Sequence, residues 1–155
     1  MDCPGEDRRY AEAALPDGID RMNISEDKAQ AVIAAARAAA REIGVPMSIA
    51  VLDAGAHLKV FTRMDGALLG SIDIALRKAR TAVLFEMNSE AVGAFCAPGG
   101  DEPGLELTNG TLVVFAGGIP IRDRDGEVIG AVGVSGGAVA QDLQVAQAAV
   151  AAAQA

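Results

Sequence analysis

Tryptophan is absent from the 155 residues of this chain, tyrosine occurs once and phenylalanine four times. Aromatic rings are too few for the stacking platforms on which single-stranded nucleic acids are held. Positive charge is scarce as well: 13 Lys and Arg stand against 21 Asp and Glu, a formal net charge of −8 that repels a phosphate backbone. Nucleic-acid binding is excluded on both counts. No apolar run approaches the ~18–20 residues of a membrane helix, and the opening MDCPGEDRRY mixes both charge signs without the apolar stretch of a signal peptide. The expectation is a soluble, cytoplasmic protein with no membrane partner. Two cysteines, Cys3 and Cys96, make neither a disulfide framework nor a CxxC metal cluster. A single histidine, His57, rules out a His-rich metal site within one chain, and no Asp/Glu cluster has the spacing of an EF-hand loop.

What the chain has in abundance is small side chains. Hydrophobic residues make up 51% of it, but 32 positions are alanine and 18 more are glycine, so the core must be built from low-volume groups. The length suits one domain. Residues 1–24 mix Pro4, Gly5, Pro16 and Gly18 with charges and show no period, which predicts an N-terminal extension, mobile or wrapped on a neighbour, ahead of a single domain over 25–155. Ser25 followed by Glu26 and Asp27 reads as a helix cap, and Ala29, Val32, Ile33, Ala36, Ala40 and Ile43 form one face of a helix that Gly44 and Pro46 stop. Strands are expected at 47–52 and 57–63, joined by the turn Asp53-Ala54-Gly55-Ala56. A helix over 71–87 follows, then a short one over 89–95 and a Gly- and Pro-rich loop over 96–110. Strand-like runs at 111–116, 119–122 and 127–135 precede a last helix with Val139, Leu143, Ala146, Val150 and Ala153 on its apolar face. The reading is an α+β fold, with helices packed on one five-stranded antiparallel sheet.

No GxGxxG or GxxxxGK[ST] phosphate cradle is present, and Ser71, Ser89 and Ser135 lack a GxSxG context. Ser135-Gly136-Gly137 precedes a helix and could seat a small anion, while the favoured reading of Gly130 and Gly133 is that they let a helix or a second subunit approach the sheet closely. His57 begins a strand just after the turn; it is an ordinary strand residue, an axial ligand to haem iron or a general base. Arg63, Asp65 and Gly66 precede the second helix, and Arg77, Lys78, Arg80 and Thr81 stud it. Arginine here suits bidentate capture of a carboxylate, or else a solvated face paired with Asp73 and Glu86.

The segments VLDAGAHLKVFTRMDGA (51–67), ALRKARTAV (75–83) and FAGGIPIRDRDGEVIGAVGVSGG (115–137), with Asp142 beyond, resemble the GlcG/HbpS-like family over about residues 25–154. The resemblance implies a profilin-like α-β-α fold on a five-stranded antiparallel sheet and a homo-oligomer, tetramer or octamer. It implies haem or a corrinoid-related ligand for some members. His57 stands where members commonly carry Gly-His; Arg63, Asp65 and Gly66, then Lys78, Arg80 and Thr81, then Gly117, Gly118, Pro120, Gly130, Gly133, Ser135, Gly136 and Gly137 match its motifs. The N-terminal extension and the missing secretion signal depart from its extracellular sensor members.

Three functions follow as expectations. The first is a cytoplasmic oligomeric protein that binds a small organic acid or haem between the second helix, the 96–110 loop and the sheet. In it Arg63 or Arg80, with Thr81 and Ser135, holds a carboxylate or propionate, Gly117 and Gly118 donate N–H groups, and His57 meets a metal. The second is a cofactor-independent lyase or hydrolase for a small carboxylated, even aromatic, metabolite, with His57, Asp65 or Glu86 as acid or base. The third is a structural accessory subunit without a ligand.

Overall fold

Ser25 opens the first helix as the sequence suggests. Its hydroxyl accepts from the Lys28 N–H at 3.2 Å, and Glu26 and Asp27 sit in the first turn, where acids complement the helix dipole. The computed structural model describes residues 23–154, so the extension expected over 1–24 lies outside the described residues except for its last two. Helix α1 runs Glu26–Glu42, and all of Ala29, Val32, Ile33, Ala36 and Ala40 are buried. Gly44, at φ +67°, ends it in a left-handed conformation that glycine adopts without strain. Ile24, just before the helix, is also buried and donates its N–H to the Ile129 carbonyl at 2.8 Å.

Strands β1 (Ser48–Asp53) and β2 (Leu58–Arg63) form the expected antiparallel hairpin. Its turn is held by Asp53, whose Oδ1 accepts from the Gly55 and His57 N–H groups, each at 2.9 Å. Helix α2 (Ser71–Phe85), the short helix α3 (Ser89–Cys96) and a single 3₁₀ turn at Leu105–Leu107 follow. Strands β3 (Gly118–Arg122) and β4 (Val128–Ser135) and helix α4 (Val139–Gln154) complete the domain. The sheet order is β2-β1-β4-β3, antiparallel throughout.

Alternation along the strands sorts the core into two layers. Ile49 and Val51 of β1 and Val132 and Val134 of β4 face α1 and α4. Ala50 and Leu52 face α2, against Ala75 and Ala79. Over β4 the approach is closer still. A Cβ at Gly133 would collide with the Ala75 carbonyl and come within 2.6 Å of the Ala79 nitrogen, and one at Gly118 would collide with the Lys78 carbonyl. Helix α2 lies directly on strand backbone, which is the close approach the glycine run allowed for.

Two expectations are corrected. The sheet has four strands, not five, because residues 111–116 join no strand of it. Their backbone groups find other partners: the Leu112 N–H donates to the Glu106 carbonyl, the Phe115 carbonyl accepts from Ser89 Oγ, and the Val114 carbonyl presses on Gly93 of α3. Thr111 at φ +70° cannot begin a strand. The buried face of α4 also differs. It consists of Asp142, Val145, Ala146, Ala149 and Ala153, while Val139 is exposed. A buried carboxylate on an apolar helix rotates the stripe away from the one hydrophobicity traces.

Candidate functional site

A groove of about 350 Å³ lies where α2 crosses the β1–β2 hairpin. Leu52, Leu58 and Leu76 give it apolar walls, Ala56 of the turn closes one end, and Arg77 and Arg80 project from α2. The far wall is Asn109-Gly110-Thr111, three successive residues at φ +52°, +74° and +70°. A β-branched residue in this region is strained. Arg77 holds the segment in place: its guanidinium donates to the Gly110 carbonyl at 2.6 Å, to the Thr111 carbonyl at 3.1 Å and to Thr111 Oγ1, and its Nε pairs with Asp73 at 2.7 Å. Arg80, one residue short of a turn further on, is exposed and has no ion-pair or hydrogen-bond partner among the described residues.

His57 stands at the turn beside this groove with its side chain 82% exposed. Its Nδ1 is 3.4 Å from Asp53 Oδ1, which orients the ring and leaves Nε2 turned away from that carboxylate. Arg63 ends β2, roughly 20 Å from His57 along six residues of strand, and Asp65 lies two residues past it. Both are exposed and neither lines the groove. Glu86 caps α2 at φ +53°, and its backbone carbonyl, not its carboxylate, receives Arg122 at 2.5 Å. The three acid–base residues named from sequence thus do not converge in one pocket. Thr81 is buried with its hydroxyl donated to the Arg77 carbonyl at 2.9 Å. Gly117 and Gly118 are buried too, and the Gly118 N–H goes to Ser89 Oγ at 3.0 Å. Ser135 lines a separate cavity near the start of α4.

The strongest polar feature is one that residue-type reasoning passed over. Lys78 is fully buried and donates to Asp142 Oδ2 at 2.7 Å and to the Val134 carbonyl at 2.9 Å, with the Phe115 ring centroid 4.8 Å from its ammonium. Asp142 Oδ1 accepts from the Gly137 N–H at 3.0 Å. Burial pushes the Lys78 ammonium below its ordinary value, and the bond to Asp142 works in the opposite direction. The signal was available: Lys78 falls between Ala75 and Ala82 on the apolar face of α2, where a cation needs a buried partner. Cys96 is a free thiol raised by burial, with a hydrogen bond to Glu106 adding to the effect. Among the described residues no cluster of three or more His, Cys, Asp or Glu could hold a bare metal ion, and no helix is long and apolar enough to cross a membrane.

Comparison with known proteins agrees with this architecture. A 15.0 kDa protein from the dhaT–dhaS intergenic region of Citrobacter freundii is 41% identical over 137 residues, covering 83% of this chain and 96% of that one. The corrinoid adenosyltransferase PduO of the same organism is 36% identical over 132 residues, 84% of this chain but only 39% of PduO. Among solved structures, Klebsiella pneumoniae ORFY superposes with a TM-score of 0.81 at 38% identity, covering 84% of this chain and 90% of that one. The PduOC–haem complex superposes at 0.79 with 37% identity, covering 84% and 94%. The family model described as haem-degrading protein HbpS-like matches residues 24–151, and with relatives this similar along their own length the chain belongs to the HbpS-like family.

Proposed function

We propose that this protein binds a carboxylate-bearing small molecule, haem foremost, in the groove between α2 and the β1–β2 hairpin. The observation that carries the reading is Arg80, an exposed guanidinium with no partner among the described residues, at the rim of a groove walled by Leu52, Leu58 and Leu76, where Arg77 already engages Asp73. A volume of about 350 Å³ is at the low end of the ~300–1,000 Å³ of ligand pockets, enough for a small organic acid or for one edge of a porphyrin. The residues fit haem in kind. Arg80 suits a propionate, the 56% exposed Leu58 offers an apolar contact, and His57 with Nδ1 toward Asp53 presents Nε2 as an axial ligand. One ligating side chain would suffice for an iron whose remaining nitrogen donors the porphyrin itself supplies. Haem also stands in the related PduOC complex.

The same reading places the protein in the cytoplasm, where the free Cys96 thiol would persist. It takes the single domain as a homo-oligomer, tetramer or octamer, whose contacts cover exposed apolar residues such as Leu107, at 73% exposure, and Phe95. Size-exclusion chromatography with light scattering checks the second point.

Hemin titration followed in the Soret region, alongside thermal shift with lactate and benzoate, tests the site. At 100 Kd a ligand adds about 2.7 kcal/mol, several degrees for a chain of this length. His57→Ala should abolish the Soret shift, and Arg80→Ala should weaken binding about fivefold. If neither hemin nor either acid alters the spectrum or the melting temperature, the reading fails.

A further inference from the structure

We propose a second ligand site, for an uncharged small molecule with an apolar body and one hydroxyl or amide head, in the cavity at the start of α4. This cavity holds about 310 Å³ and shares no residue with the hairpin groove, so the proposal stands whether or not haem binds there. Its rim is apolar: Leu68, Ile74, Phe115 and Val139, of which Leu68 is 70% exposed. Its floor is polar, made by Ser135 and Asp142.

Ser135 supplies the argument for an occupant. Five hydroxyl-bearing residues of the domain are buried: Ser48, Ser71, Thr81, Ser89 and Ser135. The first four have hydroxyl partners, Ser71 with Ser48 and the Leu68 carbonyl, Thr81 with the Arg77 carbonyl, and Ser89 with the Phe115 carbonyl. Ser135, at 5% exposure, has none among the described residues, and it lines the cavity. A buried hydroxyl is ordinarily paired, and here the cavity is where the partner would be.

Charge decides the kind of molecule. Both carboxylate oxygens of Asp142 have donors, Lys78 and the Gly137 N–H, and the Lys78 ammonium has Asp142, the Val134 carbonyl and the Phe115 ring. The floor therefore presents dipoles without an unbalanced charge. A carboxylate would meet Asp142 in a low-dielectric site, and a cation would have to displace Lys78; both are costly. A hydroxyl can donate to a remaining Asp142 lone pair and accept from Ser135 at no such cost.

Cyclohexanol, benzyl alcohol and benzoate, titrated into the full-length ¹⁵N-labelled protein, test this by amide shifts. Either alcohol should give saturable shifts at Phe115, Gly136 and Val139 and leave Asn109 and Gly110 unmoved, with benzoate at least tenfold weaker there. Ser135→Ala should weaken the alcohols about fivefold, the worth of one hydrogen bond, with an unchanged circular dichroism spectrum. Val139→Trp should block the rim. No saturable shift at these amides, equal affinity in Ser135→Ala, or benzoate binding as tightly would each overturn the proposal. Loss of hemin binding on Arg80→Ala bears only on the hairpin groove.

Discussion

Removing either partner of the buried Lys78–Asp142 pair should damage the fold far more than removing both. At 2.7 Å and an effective dielectric constant of about 20 the pair attracts by about 6 kcal/mol. Several kcal/mol of desolvation for each ion offset that gain, so the intact pair contributes little net stability. Lys78→Met leaves a buried carboxylate with only the Gly137 N–H, and Asp142→Leu leaves an ammonium with the Val134 carbonyl and the Phe115 ring. Each single variant should lose about 3–5 kcal/mol, while Lys78→Met/Asp142→Leu should return to within about 1 kcal/mol of wild type. The chain lacks tryptophan, so urea unfolding is followed by circular dichroism at 222 nm, at one protein concentration throughout. For a domain this long the single variants should melt on the order of 10 °C lower. The coupling energy of the cycle should reach at least about 5 kcal/mol. Additive effects, or single variants within 1 kcal/mol of wild type, would refute the reasoning.

Titration of the same lysine gives a second outcome. Because burial lowers the Lys78 value below 10.5, the unfolded chain holds more protons than the folded one as pH rises from the lowered value toward 10.5, so this group's contribution to stability grows with pH. Relative to the double variant, wild type should gain stability as pH rises toward 10.5, and a falling difference would contradict the direction. Gly133→Ala should cost more than 2 kcal/mol, since its methyl group would drive into the Ala75 carbonyl and α2 must lift; a change under 0.5 kcal/mol in urea unfolding would argue against the contact. Arg77→Leu should release the loop wall of the groove. Hydrogen exchange at the Leu112 amide should quicken tenfold or more, while amides of β4 keep their protection.

Most of the fold could be read from spacing. The α1 stripe, the Ser25 cap and the Asp53 turn are local patterns, and each of these segments folds as its own sequence dictates. The fifth strand fails because Thr111 to Ala116 has strand composition without a strand partner, and pairing is a property of the whole sheet. The α4 stripe fails at Asp142, whose burial depends on a lysine 64 residues away. Among the site residues, Arg80 and His57 fall beside the same groove, whereas Arg63 and Asp65 are carried to the far end of β2 by strand length alone. Which hydroxyls and N–H groups are engaged was invisible in the sequence. Thr81 and Gly118 match their motifs yet have structural partners, and only the three-dimensional arrangement singles out Ser135.

The seating of α2 on bare strand backbone at Gly133 and Gly118 divides the labour of the hairpin groove. A helix in contact with main chain can neither slide nor roll without opening the sheet, so the backbone positions from which Leu76, Arg77 and Arg80 project are fixed before any ligand arrives. Only the Asn109-Gly110-Thr111 wall can adjust, and its position depends on Arg77. A ligand at the proposed groove would therefore meet a fixed helix on one side and a strained, adjustable loop on the other: the helix would set which charge is accepted, and the loop how large a guest can enter.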